Sequence, residues 1–181
     1  MRIDSNTAAV ESSGLGEQGA FSIKTTAAAF QLLSSGLYTN KIRAVVRELS
    51  CNAIDAHVMP GGSGKETPIE VKLPNTLDSQ FYVKDSGPGL PHDKIMSLYT
   101  TYFESTKSES NDFTGGFGVG SKSPFAYTDM FTVVSINNGL RSTYTAYVDD
   151  SGEPKISKLG DGEPTDEPSG LSVSFPVKPE D

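Results

Sequence analysis

The sequence predicts an α+β fold, a two-layer sandwich in which a mixed, mostly antiparallel sheet carries helices on one face. Helix signals come early, because apolar residues recur at helical spacing over 41–57. Strand signals come late, at hairpin spacing over 130–177, with a turn at Asn137, Asn138 and Gly139. Since helices and strands do not alternate along the chain, a doubly wound parallel sheet is disfavoured.

Composition indicates one domain without a membrane anchor. The 181 residues contain no apolar run long enough to cross a membrane and no signal-peptide segment, so we expect a cytoplasmic location. Residues 1–19 are polar, small and glycine-rich, which predicts a flexible arm ahead of a domain over 20–181. The net charge of −8 disfavours a nucleic-acid interface but leaves room for a single nucleotide.

Thiol and imidazole chemistry has few candidates in this chain. Cys51 is the one cysteine, so we expect a structural thiol and no internal disulfide. His57 and His92 are the two histidines, and we expect caps or surface residues rather than metal ligands.

Two short elements precede the longest helix. A strand is expected at 21–24, and helix-forming residues with a threonine cap predict a helix over 25–35 that ends at Gly36. Asn40 is placed to cap the next helix, 41–57.

The helix over 41–57 has two distinct faces. At about 100° per residue, its apolar side chains share one stripe that we expect to face the core: Ile42, Val45, Val46, Leu49, Ala53 and Ala56. Glu48, Asn52 and Asp55 lie beside that stripe at i, i+4 and i+7. A solvated surface is the plainest interpretation of these polar residues, but two glycine-rich stretches downstream favour a functional one.

The remaining elements are mainly strands. Strands at 69–73 and 81–84 are followed by a two-turn helix at 91–99. The polar stretch 100–114 has no periodicity, which is typical of disorder or of a functional lid. Four further strands are expected at 130–136, 141–148, 155–159 and 171–177.

The second glycine-rich stretch is a candidate phosphate site. Its glycines leave backbone amides open to a ligand: Gly115, Gly116, Gly118 and Gly120. Ser121 and Lys122 follow at what looks like a helix start, where free amides and a lysine form an anion cradle. A P-loop is disfavoured because Ser121 separates Gly120 from Lys122. A plain flexible loop is the alternative.

Asp85 opens the first glycine-rich stretch, the segment DSGPGL that ends at Leu90. A carboxylate at a strand end can accept a hydrogen bond from the exocyclic amine of a base that lies against the bare backbone of Gly87 and Gly89. Guanine would present an oxygen there and be repelled. Taken alone, this segment is also a common turn.

In their order along the chain, RELSCNAIDA, DSGPGL and TGGFGVGSKSPFAY resemble motifs of the Bergerat-fold ATPases, the GHKL superfamily of gyrase, Hsp90 chaperones, histidine kinases and MutL. The first is similar to that superfamily's helix motif, the second to its adenine-binding motif and the third to the Hsp90 lid. Nearly the whole chain resembles the N-terminal domain of the phage lysis-inhibition proteins called rIIA. The resemblance implies a Bergerat fold that binds ATP with Mg²⁺ and hydrolyses it.

The resemblance also implies roles for the helix residues. Glu48 would orient and deprotonate the attacking water, the Asn52 amide oxygen would be a Mg²⁺ ligand, and Asp55 would support the base and sugar region. Hard oxygen donors suit Mg²⁺, and a carboxylate one turn away can act as a base, so these roles are physically reasonable.

For the two loops the resemblance implies nucleotide contacts. Asp85 would bind the adenine amine, with Gly87, Gly89 and Leu90 close to the base. The lid would wrap the phosphates through Gly115, Gly116, Phe117, Gly118, Val119, Gly120, Ser121 and Lys122. Lys107 is a further candidate for a phosphate contact.

The chain departs from the superfamily pattern in two places. A Gly-Thr pair usually helps the aspartate bind the base, but Leu171 follows Gly170 here, so either Ser169 or Ser172 substitutes or the contact is lost. In the gyrase and MutL branches a lysine from a second domain reaches the γ-phosphate, and nothing after the last expected strand could supply it.

We therefore expect the N-terminal part of a longer protein that uses ATP or ADP to control dimerisation or a partner, with weak hydrolysis by this part alone. The main alternative is a nucleotide-gated binding or scaffold module without turnover. A histidine kinase domain is disfavoured because neither histidine lies in a recognisable phosphoacceptor helix.

Overall fold

Six strands form one antiparallel sheet within the residues that the computed structural model describes, which are 26–36, 38–64, 66–102 and 119–178. Their order across the sheet is β1-β2-β6-β3-β4-β5. The strands are β1 Glu70–Lys72, β2 Gln80–Lys84, β3 Met130–Asn137, β4 Leu140–Val148, β5 Pro154–Pro164 and β6 Gly170–Pro176. The expected arm at 1–19 and strand at 21–24 lie outside the described residues.

Each strand pairs antiparallel to its neighbours, so the described sheet is antiparallel rather than mixed. The hairpin between β3 and β4 turns at Asn138 and Gly139, which both have positive φ, as a tight two-residue turn requires. Strands β3, β4 and β5 thus pair with their neighbours in sequence, as their hairpin spacing predicts, whereas β6 crosses back to lie between β2 and β3.

Helices precede and interrupt the strands. They are α1 Ala27–Gln31, followed by a π-helical turn at Leu32–Gly36, then α2 Lys41–Val58, α3 His92–Thr100 and a 3₁₀ helix at Gly120–Ala126. The Thr26 hydroxyl accepts a hydrogen bond from the Ala29 amide, 3.2 Å away, and Asn40 Oδ1 accepts one from the Arg43 amide, 2.9 Å away. Both predicted caps are therefore confirmed.

One face of the sheet is buried beneath the helices. Alternate strand residues supply its apolar surface: Phe81, Val83, Phe131, Val133, Tyr144, Ala146, Val173 and Phe175. Helix α2 packs Val45, Leu49 and Ala53 into the same cluster, and α3 adds Ile95 and Tyr99. Since burying one large apolar side chain is worth about 1.5–3 kcal/mol, this layer is the main source of stability. The predicted two-layer α+β fold is confirmed.

The buried stripe of α2 is narrower than the sequence suggests. Ile42 and Val46 were expected in it but are 48% and 37% exposed. The contact follows Val45, Leu49 and Ala53, spaced by four residues, and a single helix touching a sheet buries one such line. The two flanking side chains therefore remain at the surface.

Strand β5 extends past its predicted end at residue 159. It continues to Pro164 because β4 keeps pairing with it beyond an irregularity between Arg141 and Thr143. Gly160 and Gly162 have positive φ at this point. Glycine usually interrupts a strand, but here these two glycines adopt the backbone conformation that the bulge requires.

None of the helices in the described ranges is both long and apolar enough to cross a membrane.

Candidate functional site

Three segments that are distant in sequence meet along the second half of α2. The first is the helix itself, the second is the loop formed by residues 85–90, and the third is the start of the 3₁₀ helix. A Cβ placed on Gly87 would lie 2.8 Å from Ala56 Cβ, and one placed on Gly120 would lie 2.6 Å from Glu48 Oε2. Both glycines therefore let backbone rest directly on α2.

Asp85 is the buried charge of this site. It directly follows β2, and its side chain is 5% exposed. Its Oδ1 accepts hydrogen bonds from the amides of Gly87, at 2.8 Å, and Leu171, at 3.1 Å. Within the described residues Oδ2 receives no hydrogen bond. One carboxylate oxygen thus fixes the side chain while the other keeps its acceptor capacity.

The Asp85 carboxyl group has a shifted pKa. Burial raises the pKa of Asp85 above its usual range, while the hydrogen bonds from the Gly87 and Leu171 amides and the charge of Lys84 oppose that rise. A buried carboxylate with a raised pKa and an open acceptor is typical of functional sites.

The glycines of the 85–90 loop let its backbone pack closely against neighbouring segments. Gly89 has φ 65°, and a Cβ there would lie 2.1 Å from the Ile136 carbonyl oxygen. A Cβ on Gly170 would lie 2.3 Å from the Asp85 carbonyl oxygen. The sequence suggested that bare backbone at Gly87 and Gly89 faces a base, but the sides that lack a Cβ face α2 and β3. These glycines let the loop sit where it does.

Polar side chains of β3 hold the loop from below. Ser135 Oγ accepts from the Leu90 amide and donates to the Leu90 carbonyl oxygen, each at 2.8 Å. Asn137 Nδ2 donates to the Pro88 carbonyl oxygen at 3.0 Å. Sequence reasoning missed both residues. The available signal was a serine at a core-facing position of an apolar strand.

His57 also holds this loop, and its environment differs from the one that the sequence predicts. It was expected as a cap or surface residue, but it is 2% exposed in the last turn of α2. Its Nε2 lies 2.7 Å from the Ser86 amide nitrogen.

Glu48 and Asn52 share the part of α2 that faces Gly120. Glu48 is half-buried, and its carboxylate pairs with the exposed guanidinium of Arg47, a partner that the sequence did not suggest. The Asn52 amide nitrogen is 3.6 Å from the Cβ position of Gly120. Burial raises the pKa of the Tyr38 hydroxyl, and the nearby negative charge of Glu48 raises it further. The pair Glu48 and Asn52 is thus brought together as predicted.

Residues 38–151 of the chain match the family described as the histidine kinase-, DNA gyrase B- and HSP90-like ATPases. This match spans more than half of the chain and contains α2, the 85–90 loop and Gly120. The chain belongs to this ATPase family. Its matched region therefore includes the segments that converge in space at the candidate site.

Two curated relatives of this ATPase domain are similar at low identity. The chaperone protein HtpG of Frankia casuarinae is 27% identical over 173 residues, which cover 83% of this chain and 26% of that protein. One of the subunits of DNA topoisomerase 6 from Arabidopsis thaliana is 27% identical over 112 residues, which cover 58% of this chain and 17% of that protein. The chain thus spans about a quarter or less of these relatives.

Asp55 and Ser172 occupy different surroundings in the ATPase domain. Asp55 is buried on α2, 2% exposed. Ser172 pairs with Lys84 across β2 and β6, whereas the neighbouring Val173 faces the core on the side of Asp85. Because successive strand residues point to opposite faces, Ser172 is not brought to the Asp85 carboxylate. The Leu171 amide makes that contact instead.

Lys122 is turned into the protein. It is 2% exposed, donates a hydrogen bond to the Thr101 carbonyl oxygen and lies 5.3 Å from the centre of the Tyr102 ring. The neighbouring Ser121 and Ser123 hydroxyls are buried and have no hydrogen-bond partner within the described ranges. Lys122 therefore links the 3₁₀ helix to the end of α3 in this structure.

The expected lid is described only from Val119 onwards. Lys107, Gly115, Gly116, Phe117 and Gly118 lie outside the described residues. Val119 is half-buried and immediately precedes the 3₁₀ helix that begins at Gly120.

Metal ligands in the described ranges are sparse. No group of three or more His, Cys, Asp or Glu side chains there is arranged to hold an ion. The Glu48 carboxylate and the Asn52 amide lie beside Gly120, with the amide nitrogen as the nearer Asn52 atom. A hard-oxygen set this small fits Mg²⁺ that completes its shell with phosphate and water oxygens, and it does not fit a protein-only metal cage.

Proposed function

We propose that this domain binds ATP together with Mg²⁺ and hydrolyses it. The observation that carries the proposal is the Asp85 carboxylate, which is buried, fixed through Oδ1 by two backbone amides and open at Oδ2. Asp85 belongs to a domain of the ATPase family and lies beside the helix that bears Glu48 and Asn52. These two facts support an adenine nucleotide as its ligand.

Asp85 selects adenine in this proposal. A carboxylate oxygen accepts and cannot donate, so Oδ2 suits the exocyclic amine of adenine and repels the carbonyl oxygen of guanine at the same position. The hydrogen bond to a charged acceptor is worth about 1.5–3 kcal/mol. Asp55 lies buried nearby on α2 and supports the base and sugar region.

Asn52 would hold Mg²⁺ through its amide oxygen, with phosphate oxygens and water as the other ligands. When bound, the ion would neutralise part of the phosphate charge. Gly120 has no Cβ, so its backbone lies close to the Asn52 amide, whose nitrogen is 3.6 Å from the Cβ position of that glycine.

Glu48 is the proposed general base. Its carboxylate is half-buried and can take a proton from a water that attacks the γ-phosphate. The ion pair with Arg47 does not lock it, because the Arg47 guanidinium is exposed and ion pairs of exposed groups are weak.

The wider role follows from resemblance and length. The chain resembles the N-terminal domain of phage rIIA lysis-inhibition proteins and covers 26% of HtpG and 17% of the topoisomerase protein. We propose that it is the nucleotide-binding part of a longer protein in which ATP controls dimerisation or partner binding.

A second candidate is a nucleotide-gated module without turnover. Two contacts favour it: Arg47 occupies the Glu48 carboxylate, and Lys122 donates to Thr101. The Glu48 carboxylate would have to leave Arg47 before it could take a proton from water, and Lys122 would have to leave Thr101 before it could contact a phosphate.

Calorimetric titration with ATP, ADP and GTP, with and without Mg²⁺, tests the proposal, and phosphate release separates the two candidates. We expect ATP and ADP to bind, Mg²⁺ to strengthen ATP binding and GTP to bind at least tenfold more weakly. Equal affinity for ATP and GTP would contradict adenine selection. Phosphate release that Glu48→Ala abolishes supports the ATPase, whereas binding without release supports the gated module.

A further inference from the structure

His57 connects α2 to the loop that carries Asp85 through both of its ring nitrogens. Nδ1 lies 2.9 Å from the Thr67 carbonyl oxygen, and Nε2 lies 2.7 Å from the Ser86 amide nitrogen. A carbonyl oxygen only accepts, so Nδ1 carries the proton. An amide nitrogen only donates, so Nε2 is bare. The two neighbours therefore define one neutral tautomer.

The backbone of Ser86 is held at both its N–H group and its carbonyl group. Its amide donates to His57, and its carbonyl oxygen accepts from the Ser63 amide at 3.2 Å. On either side of Ser86 lie Asp85 and Gly87, which close on each other through the bond between the Gly87 amide and Asp85 Oδ1. The position of the Ser86 backbone is thus linked to that of the Asp85 side chain, which the Leu171 amide also contacts.

The loop has little other freedom at this end. Gly87 rests on Ala56, one residue before His57, with no space for a Cβ. A shift of the Ser86 peptide would break the bond to His57 and move Gly87 against α2. Because hydrogen bonds to buried groups must be satisfied, loss of the Nε2 acceptor leaves a costly unpaired amide.

We propose that His57 is a positioning residue for nucleotide binding. Its Nε2 fixes the Ser86 peptide and thereby holds Asp85 Oδ2 where the adenine amine reaches it. This inference rests on the proposed function. It assigns the Nδ1 bond to Thr67 a structural role and the Nε2 bond to Ser86 the positioning role.

Two substitutions separate the two nitrogens. In His57→Gln the longer side chain places an amide oxygen near the former Nε2, so it can accept from Ser86. In His57→Asn the shorter side chain places an amide nitrogen near the former Nδ1, so it can donate to Thr67. The second histidine, His92, contacts the Tyr144 hydroxyl at the start of α3, so His92→Gln is a matched control.

We expect His57→Asn to weaken ATP binding about tenfold or more, and His57→Gln and His92→Gln to stay within about threefold of the unsubstituted chain. Thermal unfolding and amide spectra check that each variant is folded. In the unsubstituted protein, ¹⁵N spectra of the two histidine rings should show His57 as the Nδ1-protonated tautomer.

Several outcomes overturn the inference. Equal affinity of all variants would show that the Ser86 bond does not position Asp85, and equal loss in His57→Gln and His57→Asn would reduce His57 to a structural residue. An Nε2-protonated ring would also contradict it. If the unsubstituted chain does not bind ATP, the proposed function itself fails, and the ring spectra still report on the tautomer.

Discussion

At the residue scale, the ionised Asp85 carboxylate lowers the stability of the fold, although the proposed ATP binding requires it. Its raised pKa means that the folded protein binds a proton more readily than the unfolded chain, so the ionised carboxylate costs stability at neutral pH. Asn keeps an oxygen for the Gly87 and Leu171 amides but removes the charge. We expect Asp85→Asn to melt at a higher temperature than the parent at pH 7 without nucleotide, and to lose ATP affinity.

The pH dependence of that difference has a definite sign. As pH falls from the raised pKa towards the ordinary value of 3.8, the parent protonates Asp85 and recovers stability that the Asn variant never lost. The gap in melting temperature should therefore shrink as the pH is lowered. Melting curves over this range check it, and a gap that widens on acidification would contradict the burial argument.

Substitutions of Glu48 and Asn52 are expected to impair different steps, hydrolysis and Mg²⁺-dependent binding respectively. Glu48→Ala should keep nucleotide and lose about 10²–10⁴ of any hydrolysis rate, because it removes only a proton acceptor. Asn52→Ala should lose the Mg²⁺-dependent part of ATP binding. Calorimetry with and without Mg²⁺, together with phosphate release, distinguishes them. Equal loss of binding in both variants would indicate that this face of α2 is purely structural.

At the element scale, the 85–90 loop depends on glycine at residue 89. Gly89→Ala combines positive φ with a Cβ 2.1 Å from the Ile136 carbonyl oxygen, so β3 or the loop has to move. Gly160 is a matched control, because it also has positive φ, 67°, but a Cβ there meets nothing within 4 Å.

We expect Gly160→Ala to cost about 1–2 kcal/mol from φ alone, and Gly89→Ala to cost clearly more. Urea unfolding measures both. Similar costs for the two variants would mean that the loop accommodates a Cβ and is not pinned on β3.

How far the sequence predicts these elements depends on how local their causes are. Caps at Thr26 and Asn40 and the hairpin at Asn138 involve residues a few positions apart, and all three were predictable. The end of β5 and the exposure of Ile42 were not, because pairing register and helix packing are set by distant partners.

The same distinction applies to the candidate site. Glu48, Asn52 and Asp85 belong to short motifs that the sequence displays directly. The residues that hold the loop bond to partners far away in sequence, such as Ser135 to Leu90 and His57 to Ser86. No local pattern relates them, so only the folded chain shows that they act on Asp85.

At the scale of the whole molecule, catalysis is expected to depend on more than this domain. Charge stabilisation by cationic groups is commonly a large part of phosphoryl transfer, but here Lys122 donates to Thr101 and Arg47 pairs with Glu48. We expect turnover by the 181-residue chain well below the common range of about 1–10³ per second, and faster turnover in a longer chain or dimer. Turnover within that range by the monomer, abolished by Glu48→Ala, would contradict this view.

The most direct test of the central claim compares ATP with purine riboside triphosphate, which lacks the exocyclic amine, on the parent chain and on Asp85→Ala. If Asp85 Oδ2 accepts from that amine, the parent should prefer ATP by about ten- to a hundredfold. The preference should disappear in the variant, because the two deletions remove one shared interaction. A preference of the same size in Asp85→Ala would show that the amine binds elsewhere and that Asp85 does not read the base.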